Sequence, residues 1–382
     1  METTQPLPLL GGLTAQQFMR RHWQKKPLLV RQAIPGFQPP VDRDAMFALA
    51  GRDDVESRLI RHVAGGWKLR HGPFGKRSLP SRTQPGWTLL VQGVDLHNDA
   101  AHALMQSFRF LPDARLDDLM ISYASDTGGV GAHFDSYDVF LLQATGQRRW
   151  SIGRQHDLSL QEDVPLKILQ NFEPETSFVL EAGDMLYLPP RYAHDGVAVG
   201  GDCMTYSIGL RAPAVAGLGA DLLARIAEAS ADELEDAPAN AQGRQIHYRD
   251  PSQAAVDAPA AMPAALQAFA RAAVQRALRD VDAIDRALGE SMTEPKANVW
   301  FDAGALPLSM QSVVLDRRTR MLYDTRHLYI NGESFRAGGR DATLMRRLAD
   351  RRTLEPKDLA RASDDALALL GDWCEAGWLH AS

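Results

Sequence analysis

The feature that most constrains the fold is a series of short apolar runs between residues 57 and 212, bounded by Gly, Pro and Asp. β-Branched and aromatic residues dominate these runs, and their regular spacing is typical of antiparallel strands joined by short turns. The region therefore predicts a mainly β structure, an antiparallel jelly-roll barrel or sandwich. The runs are WKLRHGPF, WTLLVQGV, DLMISYAS, DVFLLQAT, RRWSIG, SFVLEAGDMLYLPP and MTYSIGLRA.

The periodicity changes after Pro213 and predicts three parts. Residues 1–213 form the barrel with its N-terminal helices, and 214–299 form an α-helical linker. Residues 300–382 combine a hairpin signal, Asn331-Gly332, with three short helical patterns and resemble a winged helix. In the linker, an apolar stripe fits either a dimerisation interface or packing against the protein's own barrel. The stripe consists of Leu266, Phe269, Ala273, Ala277, Val281 and Ile284.

Charge is distributed unevenly along the chain. The net charge is −6, but residues 1–82 carry +8, residues 83–213 carry −9 and residues 300–382 are neutral. This layout argues against a broad nucleic-acid footprint, although seven C-terminal arginines could form a local patch. They are Arg317, Arg318 and Arg320 beside the hairpin, and Arg346, Arg347, Arg351 and Arg352. The acidic barrel suits a basic protein substrate.

Cysteine usage and apolar runs bear on the compartment. Cys203 and Cys374 are too few for a disulfide framework or a structural zinc site, and both fit a reducing cytosol. The N-terminus lacks the pattern of a secretory signal, and no uncharged run is long enough to cross a bilayer. A cytoplasmic protein without a membrane partner is expected.

Three residues form a candidate metal site. His133 and Asp135 are two apart, so on a strand both would face the barrel interior. His194 ends the run GDMLYLPPRYAH, a turn, strand and rigid corner that can bring it opposite the first pair. Two imidazoles and one carboxylate form the facial triad that binds Fe(II). The alternatives are ordinary core histidines, or a zinc hydrolase, for which no dedicated general base is evident.

An iron oxygenase also needs a reductant, commonly 2-oxoglutarate, whose distal carboxylate requires a fixed cation. Arg148 shares an otherwise apolar strand face with Trp150 and Ile152, so it is a better inward candidate than Arg149. Ser122, in the DLMISYAS run, could donate a second hydrogen bond. A surface position for Arg148 is the alternative.

These residues lie within longer segments that resemble a known family. The segments are RHWQKKPLLVR, DDLMIS, GGVGAHFDSYDVFLLQATGQRRW, GDMLYLPPRYAHDG and YSIGLRAP. They are similar to the JmjC-type, cupin-like 2-oxoglutarate oxygenases, and specifically to the bacterial ribosomal oxygenases (RoxA-like arginine hydroxylases). The resemblance covers nearly the full length and implies a double-stranded β-helix, an α-helical linker and a winged-helix-like C-terminal domain.

The resemblance also implies functional roles. His133, Asp135 and His194 would be the Fe(II) ligands, and Arg148 and Ser122 would bind the cosubstrate 2-oxoglutarate. No catalytic residue beyond the metal ligands is implied. The substrate would be an arginine of the sixteenth large-subunit ribosomal protein, hydroxylated at its β-carbon, and the protein would be a homodimer through its middle helices.

Several alternatives remain open from the sequence. Asp117, Asp118 and Asp138 are candidates to meet a substrate guanidinium, or are solvated strand-end carboxylates. Thr205 and Ser207 lie in a glycine-rich stretch that is hard to align, and they are left unassigned. An N-methyl demethylase on the same core, or a non-catalytic metal-binding cupin regulator that reads DNA, are the rival functions.

Overall fold

The computed structural model describes residues 3–64, 66–75, 77–235, 246–255, 260–278, 281–306 and 310–382. The described residues divide into two compact units. The first contains the residues up to Ala212 together with Lys296–Phe301, and the second contains those of 213–295 and 302–382. The boundary at Pro213 coincides with the change in sequence periodicity.

The first unit is built on one antiparallel nine-stranded sheet. The strand order is β1-β8-β6-β9-β5-β4-β2-β3, and β7 pairs with β6. One face of β2, β4, β5, β6 and β9 lines a common cavity. The strands are β1 (Leu28–Val30), β2 (Ser57–Val63), β3 (Gly66–His71), β4 (Trp87–Val91), β5 (Leu116–Ala124), β6 (Val139–Gly153), β7 (Thr176–Leu180), β8 (Met185–Leu188) and β9 (Ala193–Leu210).

Three short helices cover the other face of this sheet. They are α1 (Ala15–Arg21), α2 (Arg43–Leu49) and α3 (Asp99–Gln106). Thr14 and Gln17 form a capping box at the start of α1, and Asp42 caps α2. Phe18 of α1 is fully buried and packs edge-on against Tyr187 of β8 at 4.9 Å between ring centroids. The main hydrophobic core therefore lies on the side of the sheet away from the cavity.

Strand β6 differs from the prediction. The sequence predicts two strands separated by a Thr145-Gly146 turn, but β6 runs without a break from Val139 to Gly153. Its pairing with β9 shifts register on both sides of Thr145. Gly146 has φ of +63°, and a Cβ there would lie 2.9 Å from the Asp202 carbonyl oxygen. A bulge with a left-handed glycine thus replaces the predicted turn, which bends the strand without ending it.

The predicted Gly183-Asp184 turn is present between β7 and β8. Gly183 has φ of +91°. The buried Asp184 carboxylate accepts hydrogen bonds from the Gln32 and Glu181 amides and pairs with Arg31 at 2.6 Å. Burial opposes ionisation, but these bonds outweigh it and lower the pKa of Asp184. The turn is therefore fixed to the N-terminal segment.

Asp138 lies at the start of β6 and is fully buried. Its carboxylate accepts hydrogen bonds from the Tyr187 hydroxyl at 2.5 Å and from Gln24 Nε2 at 3.0 Å, and Arg115 lies 3.4 Å away. These contacts use both carboxylate oxygens. The hypothesis that Asp138 meets a substrate guanidinium is therefore wrong, because the residue points into the core and joins the loop after Asp135 to the N-terminal segment.

The Asp138→Ala variant tests this structural role. We expect it to lower the free energy of unfolding by about 3 kcal/mol, since it removes the acceptor of several buried donors. Urea unfolding monitored by fluorescence measures the change. The exposed Asp53 is the matched control, and its alanine variant should stay within about 0.5 kcal/mol of the unmodified protein. Equal effects of the two variants would contradict the assignment.

In its described residues the second unit begins with the helices α4 (Val215–Glu235), α5 (Ala264–Ala277) and α6 (Val281–Thr293). The sequence predicts one helix over the α5 and α6 region. The structure gives two, and residues 279–280 between them lie outside the described part. The sequence also predicts a polar loop over residues 235–253. Glu235 instead ends α4, residues 236–245 lie outside the described part, and residues 246–253 form no helix or strand. On or directly after these helices, several large apolar side chains are exposed to solvent, namely Leu223, Val274, Leu278, Ile284 and Leu288.

The C-terminal part of the second unit contains two small sheets and three helices. The Asn331-Gly332 hairpin joins β12 to β13, and both residues have positive φ, as the two-residue turn requires. The sheets are ordered β14-β10-β15 and β11-β12-β13. The elements are β10 (Val313–Leu315), β11 (Met321–Tyr323), β12 (His327–Ile330), β13 (Glu333–Arg336), α7 (Gly339–Arg351), β14 (Thr353–Leu354), α8 (Pro356–Leu359), α9 (Asp364–Glu375) and β15 (Leu379–Ala381).

Hydropathy along the helices bears on membrane insertion. Among the described residues, no helix combines the length and the apolar character needed to cross a bilayer.

Candidate metal centre and its cavity

A cavity of about 360 Å³ opens on the inner face of the barrel. Along most of the strands, alternate residues line it, as expected from the two-residue repeat of a strand. His133, Asp135 and His194 lie in its wall together with Arg148 and Ser122. The structure therefore brings all five predicted site residues to one cavity.

His133 and His194 face each other across a single antiparallel bridge. The amide of each donates to the carbonyl of the other, at 2.9 and 2.8 Å. In each ring, Nδ1 lies within 2.9 Å of a backbone carbonyl, that of Gly131 for His133 and of Tyr192 for His194. A carbonyl only accepts, so Nδ1 carries the proton and Nε2 presents a lone pair to the cavity. This tautomer is the one that metal-binding histidines use.

Asp135 completes the cluster. Its Oδ2 lies 3.7 Å from His194 Nε2, and one ligand atom from each of the three residues falls within 4.8 Å of the others. The sequence places His133 and Asp135 on a strand, but only His133 forms a bridge and Asp135 lies in the irregular segment before β6. Both still face the cavity. Three N and O donors converging from one side fit a hard or borderline divalent cation such as Fe(II).

Gly131 allows the His133 loop to pack closely. It has φ of +82°, and a Cβ there would lie 2.5 Å from Ile168 Cδ1 and 2.8 Å from Trp67 Cζ2. Ile168 belongs to the loop between β6 and β7, which is tied to the metal loop by the Leu169 amide donating to the Ala132 carbonyl. The Gly131 carbonyl, which orients the His133 ring, is thus held in place because Ile168 and Trp67 pack against Gly131.

Arg148 is the buried cation of the cavity. Its residue exposure is 3%, and Nη1 donates to the Gly196 carbonyl at 3.3 Å. Nε and Nη2 are buried and have no hydrogen-bond partner. Burying unsatisfied charged donors is costly, so the guanidinium is arranged for an anion that enters the cavity. Two free N–H groups in a planar fork match a carboxylate.

Three hydroxyl side chains lie on the cavity wall along β5 and β9. The Ser122 hydroxyl donates to the Thr205 carbonyl at 3.4 Å, a long bond that leaves it able to turn to a ligand. Thr205 and Ser207, left unassigned from the sequence, both line the cavity. Their two-residue spacing would place both side chains on one face of a strand, which was the signal available in the sequence. The glycine-rich stretch before them made the extent of that strand hard to predict.

His194 is expected to make metal-free stability depend on pH. Burial, and secondarily the nearby His133, lower the pKa of His194 to about 4 from 6.5. The unfolded chain therefore binds a proton that the folded chain excludes, so stability falls as pH drops from 6.5 towards 4. Thermal unfolding midpoints of the metal-free protein should decline more steeply across this range than those of His194→Gln. Identical slopes would contradict the expected protonation change.

Acidic and phenolic groups lie at the cavity mouth. Asp117 and Asp118 line the cavity, and the Asp118 side chain is only 9% exposed. The Tyr137 hydroxyl is desolvated although the residue is 41% exposed. This desolvation, together with the charge and hydrogen bond of Asp135, raises the pKa of Tyr137, so its hydroxyl remains a donor. Two of the three acidic candidates therefore lie where a cationic side chain could enter.

The C-terminal arginines are largely engaged within their own domain. Arg318 pairs with Asp316 at 2.8 Å, Arg347 pairs with Asp358, and Arg352 donates to the Thr319 and Asp316 carbonyls. The second helix of the α8–α9 pair, which enters the groove in DNA-binding winged helices, carries four carboxylates and no cation. These charges do not favour the DNA-reading regulator.

Comparison with known proteins agrees with this geometry. A profile of the JmjC domain matches residues 103–218, and a profile of the ROXA-like winged helix matches residues 275–380. The chain therefore contains a JmjC domain and a ROXA-like winged helix. The predicted resemblance is confirmed, as is the fold class of a cupin-like β barrel with a helical part and a winged helix.

Named relatives extend the comparison. The Escherichia coli ribosomal protein uL16 3-hydroxylase is 42% identical over 199 residues, 51% of this chain and 52% of that protein. A probable ribosomal oxygenase of Haemophilus influenzae is 36% identical over 211 residues, 54% and 52%. The matched segment thus spans about half the length of these relatives. E. coli YcfD with cobalt and 2-oxoglutarate has a TM-score of 0.78 at 29% identity, covering 96% of this chain and 98% of YcfD.

Proposed function

We propose that this JmjC oxygenase is an Fe(II)- and 2-oxoglutarate-dependent hydroxylase acting on an arginine of ribosomal protein uL16. The observation that carries the proposal is the pairing, in one cavity, of the His133–Asp135–His194 cluster with a buried guanidinium whose Nε and Nη2 have no partner. The relative named as a uL16 3-hydroxylase, and the related structure holding cobalt and 2-oxoglutarate, support the same chemistry.

In this proposal the protein holds the metal through Nε2 of His133, Nε2 of His194 and the Asp135 carboxylate. The Gly131 and Tyr192 carbonyls keep both rings in the tautomer that presents Nε2. Arg148 binds the distal carboxylate of 2-oxoglutarate, and Ser122, with Thr205 beside it, adds hydroxyl contacts. When bound, iron and cosubstrate supply the chemistry that places one oxygen atom of O2 into a substrate C–H bond.

The chain's remaining task is to place that C–H bond. We assign Asp118 and the Tyr137 side chain to the substrate guanidinium, because both lie in the cavity wall near its mouth. The Tyr137 hydroxyl donates to Asp135, so its oxygen is left to accept from the substrate. The Asp118 carboxylate accepts from the guanidinium, and the neutral phenol limits motion of the side chain. Holding the reacting carbon in one place lowers the activation barrier, because less orientational freedom is lost when the reaction occurs.

Hydroxylation is favoured over N-methyl demethylation by the comparisons. Both reactions begin with hydrogen removal from a carbon atom, so the metal site alone serves either. Two relatives that are 42% and 36% identical over about half of this chain are named as a uL16 3-hydroxylase and a probable ribosomal oxygenase, whereas a relative named as a bifunctional lysine demethylase and histidyl-hydroxylase is only 22% identical. The β-carbon is the proposed position of the hydroxyl group.

We further propose that residues 1–213 form the catalytic part, that 214–299 mediate homodimerisation and that 300–382 form a separate winged-helix domain. Large apolar side chains exposed on α4, α5 and α6, including Leu223, Val274 and Ile284, support a dimer interface in the middle part. A ribosomal protein substrate supports a cytoplasmic location.

Succinate release tests the proposed reaction. With Fe(II) and 2-oxoglutarate, the protein should form succinate several times faster when purified uL16 is added than with another basic ribosomal protein. Formaldehyde should not accumulate, because it would report loss of an N-methyl group. Succinate formation that ignores uL16, or formaldehyde that matches succinate in amount, would contradict the proposal.

A further inference from the structure

A β-bulge places two consecutive carboxylates at the cavity mouth. In a regular strand, Asp117 and Asp118 would point to opposite faces. The pairing of β5 with β9 shifts register between Leu116 and Asp118, so Asp117 is the extra residue of a bulge. Both aspartates line the cavity as a result. The bulge is therefore a built feature of the mouth.

A lysine from a distant segment bridges these carboxylates. Lys296 Nζ lies 3.2 Å from Asp117 Oδ1 and 3.2 Å from Asp118 Oδ2. Its segment, Lys296–Phe301, belongs to the same compact unit as the barrel, whereas the chain before and after it belongs to the other unit. The connection after α6 thus returns to the catalytic unit and delivers an ammonium group to the mouth.

The two oxygens of Asp118 have different surroundings. Oδ2 accepts from the Gly93 amide at 3.1 Å and faces Lys296. Oδ1 lies over Gly209, the β9 residue paired with Asp118, where a Cβ would come within 3.3 Å. Gly209 itself lines the cavity, so the absence of a side chain there leaves Oδ1 open to a ligand.

We propose that Lys296 is a positioning residue for substrate, which fixes Asp118 with Oδ2 engaged and Oδ1 directed into the cavity. This inference rests on the proposed function, in which Asp118 receives the substrate guanidinium. Lys296, together with Arg211 at 3.4 Å from Asp117, balances the charge of both aspartates. Recognition at the mouth therefore depends on the direction of Oδ1 more than on a net negative charge.

Steady-state kinetics of three lysine variants test the proposal. Lys296→Met should raise the KM for uL16 about tenfold, the effect of weakening one charge-assisted hydrogen bond, and should change kcat less than about twofold. The KM for 2-oxoglutarate should stay unchanged, since Arg148 is untouched. Lys296→Arg should restore most of the uL16 affinity. Lys357→Met is the matched control, because Lys357 is also ion-paired, with Glu355 at 2.7 Å.

Peptide binding separates this proposal from the proposed function. Fluorescence anisotropy of labelled uL16, measured without iron, reports affinity in the absence of turnover. Weaker binding to Lys296→Met than to Lys296→Arg supports the positioning role. Equal binding to the unmodified protein and Lys296→Met, or a rise in both KM values in parallel, would overturn it. Absence of uL16 oxidation by the unmodified protein would instead refute the proposed function.

Discussion

Replacing His133 with alanine should reduce uL16-dependent succinate formation by about 100-fold or more, because even loss of a partner outside the ligand set costs about 10- to 100-fold. The variant keeps only His194 and Asp135 as ligands. His133 is also partly exposed and its backbone bridge to His194 does not depend on the imidazole, so the fold should remain. Activity and metal content, measured together by succinate release and elemental analysis, should fall in parallel.

The exposed His156 provides the matched control for this variant. His156→Ala should keep full activity and full metal content, since the residue lies on the loop after β6 and does not belong to the cluster. Full turnover by His133→Ala would contradict the assignment of the metal centre.

Replacing Arg148 with alanine should raise the KM for 2-oxoglutarate at least about 30-fold, because truncating one partner of a buried charge pair costs about 2 to 5 kcal/mol. In the unmodified protein, Nε and Nη2 of Arg148 are buried and have no acceptor among the described residues. The carboxylate of 2-oxoglutarate would supply that acceptor. The KM for uL16 should change little. Initial rates at varied 2-oxoglutarate concentrations measure the effect.

Two further variants sharpen the Arg148 prediction. Arg149→Ala is the matched control, because Arg149 is the next residue and lies exposed on the opposite face of β6. The KM of Arg148→Lys for 2-oxoglutarate should lie between those of the two alanine variants, since lysine retains the charge but not the planar guanidinium. An unchanged KM for 2-oxoglutarate in Arg148→Ala would refute only the cosubstrate role and leave the metal centre intact.

The site residues were predictable from sequence where local strand geometry determines them. Alternation along β6 places Arg148 inward and Arg149 outward, and this alternation holds although the predicted turn before it is a bulge. The turn, strand and double-proline corner before His194 likewise predict its position. These patterns depend on short-range spacing, which the sequence carries directly.

Other features depend on pairing between distant strands and were missed. The bulge at Asp117 arises from register with β9, and the seating of Lys296 arises from a segment 178 residues beyond Asp118. The burial of Asp138 depends on Tyr187 and Gln24, which approach it from other elements. Such contacts have no local signature, so the sequence alone does not distinguish the buried Asp138 from an aspartate that meets a substrate guanidinium.

The most direct test of the central claim is mass spectrometry of uL16 after incubation with the protein, Fe(II), 2-oxoglutarate and O2. The account predicts a gain of one oxygen atom on a single arginine. Fragmentation should assign the added oxygen to the side chain of that residue, in agreement with a hydroxyl group on the β-carbon. The gain should be absent when 2-oxoglutarate is omitted and with His133→Ala. An unmodified uL16 under conditions where the protein consumes 2-oxoglutarate, or oxygen added at a residue other than arginine, would contradict it.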